Sequence, residues 1–124
     1  MQRSRPPRTL LALALTPLLV LAAGCHSAFI QASVVNHTGQ PVHLLEVDYP
    51  SASFGSGELA NGATFHYRFK VLGSGAAKLT WTDAQQREHT SKGPDLTEGQ
   101  EGTLTITLGP ADANWDTNLS SVSR

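Results

Sequence analysis

Cysteine is almost missing from this chain. Cys25 is the only one in 124 residues, so no intramolecular disulfide can supplement the core of a small secreted domain. Methionine occurs only as Met1, which excludes a Met-rich copper-handling surface. Basic residues are sparse. After position 24 they are Arg68, Lys70, Lys78, Arg87, Lys92 and Arg124, against ten carboxylates. Without a cluster of Lys and Arg, the chain lacks the driving force for nucleic-acid binding or for polybasic docking on anionic lipid. No apolar run reaches the ~20 residues that a membrane-spanning helix needs. Helical periodicity is also lacking, since Gly, Pro or β-branched clusters interrupt every stretch of twelve residues after Cys25.

The first 24 residues have their own organisation. Arg3, Arg5 and Arg8 form a basic leader with Pro6 and Pro7. An apolar run follows from Leu10 to Ala23, broken only by Thr16 and Pro17, and it ends at Leu21-Ala22-Ala23-Gly24-Cys25. Basic leader, apolar segment of this length and small residues at its end make an export signal. The last five residues resemble the lipobox of bacterial lipoproteins. In that family the residue three before the cysteine is commonly Leu; here it is Ala22, with Leu21 one place earlier. The resemblance implies cleavage between Gly24 and Cys25, a diacylglyceryl group on the Cys25 thiol and acylation of its freed amine. Two or more acyl chains hold a protein stably on a bilayer, each buried methylene contributing ~0.8 kcal/mol. His26, rather than Asp, follows the cysteine, which by the same resemblance favours the periplasmic face of the outer membrane over the inner membrane. The sequons at Asn36-His37-Thr38 and Asn118-Leu119-Ser120 matter only in a glycosylating pathway and read as chance matches.

About 100 residues follow, enough for one domain with a modest core. In Thr64 to Val71, Phe65, Tyr67, Phe69 and Val71 alternate with His66, Arg68 and Lys70, which gives a strand one apolar and one charged face. Thr103 to Leu108 alternates likewise, with Leu104, Ile106 and Leu108 on one side. Phe29 to Asn36, Val42 to Tyr49, Lys78 to Asp83 and Arg87 to Ser91 follow the same rule. Turn residues lie between them at Asn36 to Pro41, which can close a hairpin, at Ala60-Asn61-Gly62, at Gly73-Ser74-Gly75 and at Gly99 to Gly102. The expected fold is a small all-β antiparallel sandwich of six to seven strands, loosely immunoglobulin-like, with a half-open barrel as the alternative. Its core should contain Val34, Leu45, Val47, Phe65, Tyr67, Phe69, Leu79, Trp81, Leu104, Ile106 and Leu108. The implied organisation is signal 1–24, tether 25–28, sandwich 29–109 and a mobile polar tail 110–124, in which Trp115 either packs partially on the domain or contacts a partner.

Chemistry-bearing constellations are weak. His43, His66 and His89 fall on three different strands with no local metal-ligand spacing, so they bind a metal only if the fold brings them together. G-x-S-x-G is absent, and Gly55-Ser56-Gly57 and Gly73-Ser74-Gly75 read as flexible loops. Glu46 and Asp48 share a strand face as surface charge, and Asp95, Glu98 and Glu101 match no calcium-loop spacing. Tyr49 and Phe54, in a segment rich in Gly and Ser, are candidates either for contact with a partner or for capping one end of the core. No enzyme mechanism, cofactor or metal is indicated. The expectation is a lipid-anchored, noncatalytic interaction module with membrane and envelope-protein contacts and no nucleic acid; a small-ligand or ion-binding periplasmic domain is the alternative.

Overall fold

The computed structural model describes residues 27–121. The leader, the Gly24/Cys25 junction and His26 lie outside the described residues, as do residues 122–124. Period-two alternation becomes eight strands, with no helix among the described residues: β1 (Ile30–Asn36), β2 (Val42–Tyr49), β3 (Ala52–Leu59), β4 (Thr64–Phe69), β5 (Gly75–Thr82), β6 (Glu88–Leu96), β7 (Gln100–Leu108) and β8 (Ala113–Ser121). They form two four-stranded sheets, in the orders β4-β1-β7-β8 and β3-β2-β5-β6. β3 faces β4 across one edge and β6 faces β8 across the other. The protein is therefore an all-β sandwich and not a half-open barrel, with eight strands where six or seven were expected.

Adjacent strands run antiparallel with one exception: β1 pairs parallel with β7, Val34 opposite Ile106. Parallel neighbours need a long crossover, and here the intervening chain builds the whole second sheet. The Asn36 to Pro41 turn accordingly does not close a hairpin but carries the chain from one sheet to the other. The hairpins are β2–β3, β5–β6 and β7–β8.

Alternation decides the core. Ile30, Ala32 and Val34 of β1, Leu79 and Trp81 of β5, and Leu104, Ile106 and Leu108 of β7 are buried between the sheets with Leu45, Val47 and Phe69. Two expected core residues depart from this. Tyr67 is 43% exposed and Phe65 only half-buried, because β4 is an edge strand and its inward side chains reach the rim of the sandwich. β2 accommodates one extra residue between His43 and Glu46 relative to β5. Leu44 takes up this bulge at φ 51° with its side chain in solvent, so that Leu45 and Val47 still face inward.

Two segments read as irregular are strands. Residues 113–121, expected to be a mobile tail, form β8 along the whole of β7, with Ala113, Trp115 and Leu119 turned toward the core and Asn114, Asp116 and Asn118 toward solvent. The Tyr49 to Leu59 segment is the end of β2, the Pro50-Ser51 turn and β3. Gly55 serves close approach rather than flexibility: a Cβ there would overlap the Leu45 carbonyl of the neighbouring strand.

Candidate functional site

The strand directions separate the two ends of the sandwich. β1 starts beside the exposed Ser27, and the residues at its far end, Val35 and Asn36, lie opposite Thr64 and Leu108. The same pairing logic puts the connections 37–41, 60–63, 83–87 and 109–112 together at that far end.

Asn36 organises this end. It is fully buried, a cost that hydrogen bonding must offset. Its Nδ2 donates to the carbonyls of Gln40 and Leu59, at 2.8 and 3.0 Å, and its Oδ1 accepts from the Thr38 amide at 2.9 Å. Its backbone bonds to Ala63 and Gly62, the neighbouring His37 amide donates to the Leu108 carbonyl, and the Gly39 amide donates to Asn61 Oδ1. Asn36, by side chain and backbone together, thus ties the 37–41 connection, the end of β3 and the 60–63 connection into a single unit.

The 83–87 turn has a centre of its own. Asp83 Oδ1 accepts from the amides of Gln85 and Arg87, each at 2.9 Å, while Oδ2 accepts from His89 Nε2 at 2.8 Å and Arg87 Nε at 3.2 Å. The His89 bond, then the amide of Arg87, hold the Asp83 carboxyl down at about 2, with the Gln85 amide and the Arg87 charge adding to the effect and partial desolvation opposing it. His89 in turn stacks on Trp81, ring centroids 5.0 Å apart and nearly parallel.

Trp81 is the unusual residue. It is 1% exposed, and its Nε1 is the one buried side-chain donor without a hydrogen-bond partner among the described residues. An unmade bond of this kind costs about 1–3 kcal/mol. The same residue is among those lining a cleft of about 150 Å³. Thr38 and Gln40 wall it on one side, Ala84, Gln85 and the Asp83–Arg87 pair on another, and Pro110 on the third. Three connections far apart in sequence therefore converge on one small cavity beside Trp81, smaller than the pockets that enclose whole ligands. Larger depressions, of about 460 Å³ beside Leu44 and Gly55 and 480 Å³ beside Phe29 and Arg68, are broad dishes on the outer faces of the two sheets.

The residues singled out in the sequence do not gather here. His43 lies on β2 opposite Thr82, His66 on β4 shares a hydrogen bond of 3.1 Å with Ser33 Oγ, and His89 belongs to the Asp83 turn. Among the described residues no group of His, Cys, Asp or Glu is placed to hold a metal. Tyr49 and Phe54 are not displayed to a partner. Phe54 is buried, and Tyr49 is half-buried with its ring 4.4 Å from that of Phe69; burial, then the neighbouring Tyr67, raise the Tyr49 phenol above its ordinary value. Asp48 makes an exposed ion pair with Lys78 at 3.9 Å, of little energetic weight. Asp95, Glu98 and Glu101 are spread over β6, a turn and β7.

The Ser33–His66 pair has nucleophile and base at hydrogen-bonding distance, but not the surroundings that acyl transfer needs. Both residues sit on the flat outer face of their sheet. Ser33 belongs to a central strand flanked on both sides by ladder partners, so the neighbouring amides are committed and cannot form an oxyanion hole. Sequence reasoning missed the Trp81 cleft because its walls come from three separate turns. Trp81 itself was legible only as a core residue, although a Trp in a core always brings an N–H that needs a partner. Comparison of the chain with family models, curated proteins and solved structures finds no match.

Proposed function

We propose that this chain is a bacterial lipoprotein, processed between Gly24 and Cys25 and lipidated on Cys25, whose sandwich is a noncatalytic binding module held against a membrane, with the periplasmic face of the outer membrane favoured. The observation that carries the reading is the segregation of the two ends. Ala28 is already buried in the domain and β1 begins at Ile30. Only three residue steps separate it from Cys25, a reach of about 10 Å at ~3.5 Å per residue. A lipid at Cys25 therefore keeps the near end at the headgroups. The four converging connections, a strand's length of roughly 25 Å away, then point outward to soluble partners or ligands.

Noncatalytic binding is supported by the condition of the titratable groups. Asp83 and His89, the most tightly coupled acid and base at the far end, are engaged with each other and with the turn backbone. The Ser33–His66 pair lacks electrophile-stabilising donors. No helix among the described residues is long and apolar enough to cross a membrane, so in this reading attachment is through lipid.

The test is Cys25→Ser in the native host. Lipid labelling and mass spectrometry of the wild-type N-terminus should find an acylated Cys25 in the membrane fraction. The variant should be soluble or remain an unprocessed precursor; unchanged membrane fractionation and labelling would refute the lipidation. A small-ligand function is the second reading, favoured by the cleft that three connections enclose at the far end.

A further inference from the structure

We propose that the open edge of β3 takes up an extended, basic segment of a partner protein as an added strand, joined to the sheet through main-chain hydrogen bonds. The proposal rests on the reading of the domain as a binding module, but not on lipid at Cys25.

Four strands end the two sheets: β4 and β8 in one, β3 and β6 in the other. Each leaves a row of amides and carbonyls facing outward, and proteins ordinarily guard such rows with charge, proline or a bulge. β4 carries His66 and Arg68, and β8 carries Asp116. β6 carries Lys92 and Pro94, and its pairing slips register between Ala76 and Lys78 of β5. Residues 52–57 of β3, Ala-Ser-Phe-Gly-Ser-Gly, have none of these guards. The stretch is about 20 Å long at ~3.3 Å per residue, an ordinary strand's length. β4 faces it through side chains, the Phe54 ring stacking on Tyr67 at 4.5 Å, and not through main-chain bonds. Among the described residues no loop bonds to its main chain from the open side. The open run ends at Glu58 and Leu59, whose carbonyls accept from Ser56 Oγ at 2.9 Å and Asn36 Nδ2 at 3.0 Å. An exposed, unguarded edge of this kind is what strand addition uses.

The outer face of the sheet sets the chemistry of the added strand. Gly55 and Gly57 carry no side chains, so those of a neighbouring strand can lean across β3 into the dish beside it. Glu46 and Glu88 line that dish with no Lys or Arg, and Glu58 stands on β3 itself. Lys78, on the same sheet, is paired with Asp48, and Lys92 lies on β6, the opposite edge. Opposite charge across such a boundary selects and steers the partner. Leu44 supplies the apolar contact, since it lines the dish and is 69% exposed. Its φ of 51° would suit glycine without strain; the leucine adds apolar surface beside the two glycines. A second copy of this chain would bring the same carboxylates against these. The strand that fits therefore carries Lys or Arg between apolar residues.

The experiment uses 15N-labelled full-length protein in detergent micelles and an N-acetylated eight-residue peptide that alternates valine with lysine. A second peptide has the same sequence with every amide nitrogen methylated, and a third replaces lysine by glutamate. The lysine peptide should shift the β3 amides saturably and slow hydrogen exchange within 52–57 at least tenfold, leaving the amides of β4, β6 and β8 in place. The methylated peptide, of equal charge but without main-chain donors, should give no protection, and the glutamate peptide should bind at least tenfold more weakly. A side chain at position 57 meets open space, so Gly57→Lys should leave the circular dichroism unchanged while weakening the lysine peptide at least tenfold. Leu44→Gly should keep or raise the melting temperature and weaken the same peptide at least threefold. No response at β3, equal protection by the methylated peptide, equal binding of the glutamate peptide, protection at another edge, or undiminished binding in either variant would overturn the assignment. So would protection of 52–57 that appears without peptide as protein concentration rises, which would make a second copy the occupant. The membrane fractionation of Cys25→Ser is unaffected by any of these outcomes, so failure here and failure of the lipoprotein reading are read separately.

Discussion

Where β3 lies over β4, the gap between the sheets is filled by five aromatic rings. Phe54 sits at the centre, its ring centroid 4.5 Å from that of Tyr67, 5.2 Å from Phe69, 6.1 Å from Tyr49 and 6.3 Å from Phe65. At the opposite edge, β6 and β8 meet around a single indole. Trp115 lies against Gly93 and donates to Ser91 Oγ. The first edge is closed by volume and the second by fit. A pile of rings spreads its contacts over many pairs, each worth about 0.5–1.5 kcal/mol beyond burial, so loss of a peripheral ring leaves the others packed. A ring seated on a glycine depends on one hydrogen atom's worth of space.

The largest effect should come from removing the centre of the aromatic edge. Phe54→Ala deletes a buried ring that touches four others and is expected to destabilise the fold by about 3–5 kcal/mol, measured by urea unfolding. A loss below about 1 kcal/mol would mean that the surrounding rings collapse into the space, and that the edge is tolerant even at its centre.

Gly93→Ala tests the other edge. The new Cβ would lie 2.6 Å from the Trp115 ring, so the indole must leave its seat and give up the Ser91 bond. Overpacking of this kind costs about 1–3 kcal/mol. Amide exchange should accelerate along β8 while β4 keeps its protection. Unaltered exchange in β8 would show that the β7 ladder alone holds that strand.

The smallest effect concerns how the edge strand β6 begins. Asp83 engages Arg87 and His89, immediately before and near the start of that strand. Its carboxyl titrates at about 2 in the folded protein against an ordinary 3.8. A folded value below the unfolded one means a stabilising contribution fully present above the ordinary value and lost as pH falls through about 2. The melting temperature of wild type should therefore exceed that of Asp83→Asn at neutral pH, and the gap should close between about pH 4 and 2. A gap independent of pH would place the effect in backbone geometry rather than in the charge.

The same two edges show what was legible in the sequence. β4 and β7 follow from strict alternation, and the sandwich class follows from the number and spacing of such runs. Alternation reports which face a residue occupies but not where its strand lies in the sheet. Tyr67 therefore read as core although β4 is at an edge. β8 carries the same period-two signal in Ala113, Trp115 and Leu119, but the Asn, Asp and Ser between them, with no second apolar flank, gave it the composition of a tail. β3 was hidden by Gly55 and Gly57, residues ordinarily associated with loops, one of which is required by the nearby Leu45 carbonyl. The cleft was the least legible feature. Thr38, Gln85 and Pro110 are separated by tens of residues, and only the crossing of the chain between sheets puts them together. The pairing of β1 with β7, which makes that crossing necessary, has no local signature.

That pairing also sets how the molecule responds to load. Strand β1 is the first element after Ser27, and it is bonded along its length to β4 on one side and β7 on the other. Tension applied through the N-terminal end pulls along the axis of this strand, so its two rows of backbone bonds are stressed together in shear instead of opening one after another. An edge strand such as β8, pulled away from the sheet, would peel. A pull on the chain just before β1 thus grips the domain at the centre of a sheet, the place where a steady load meets the most bonds at once.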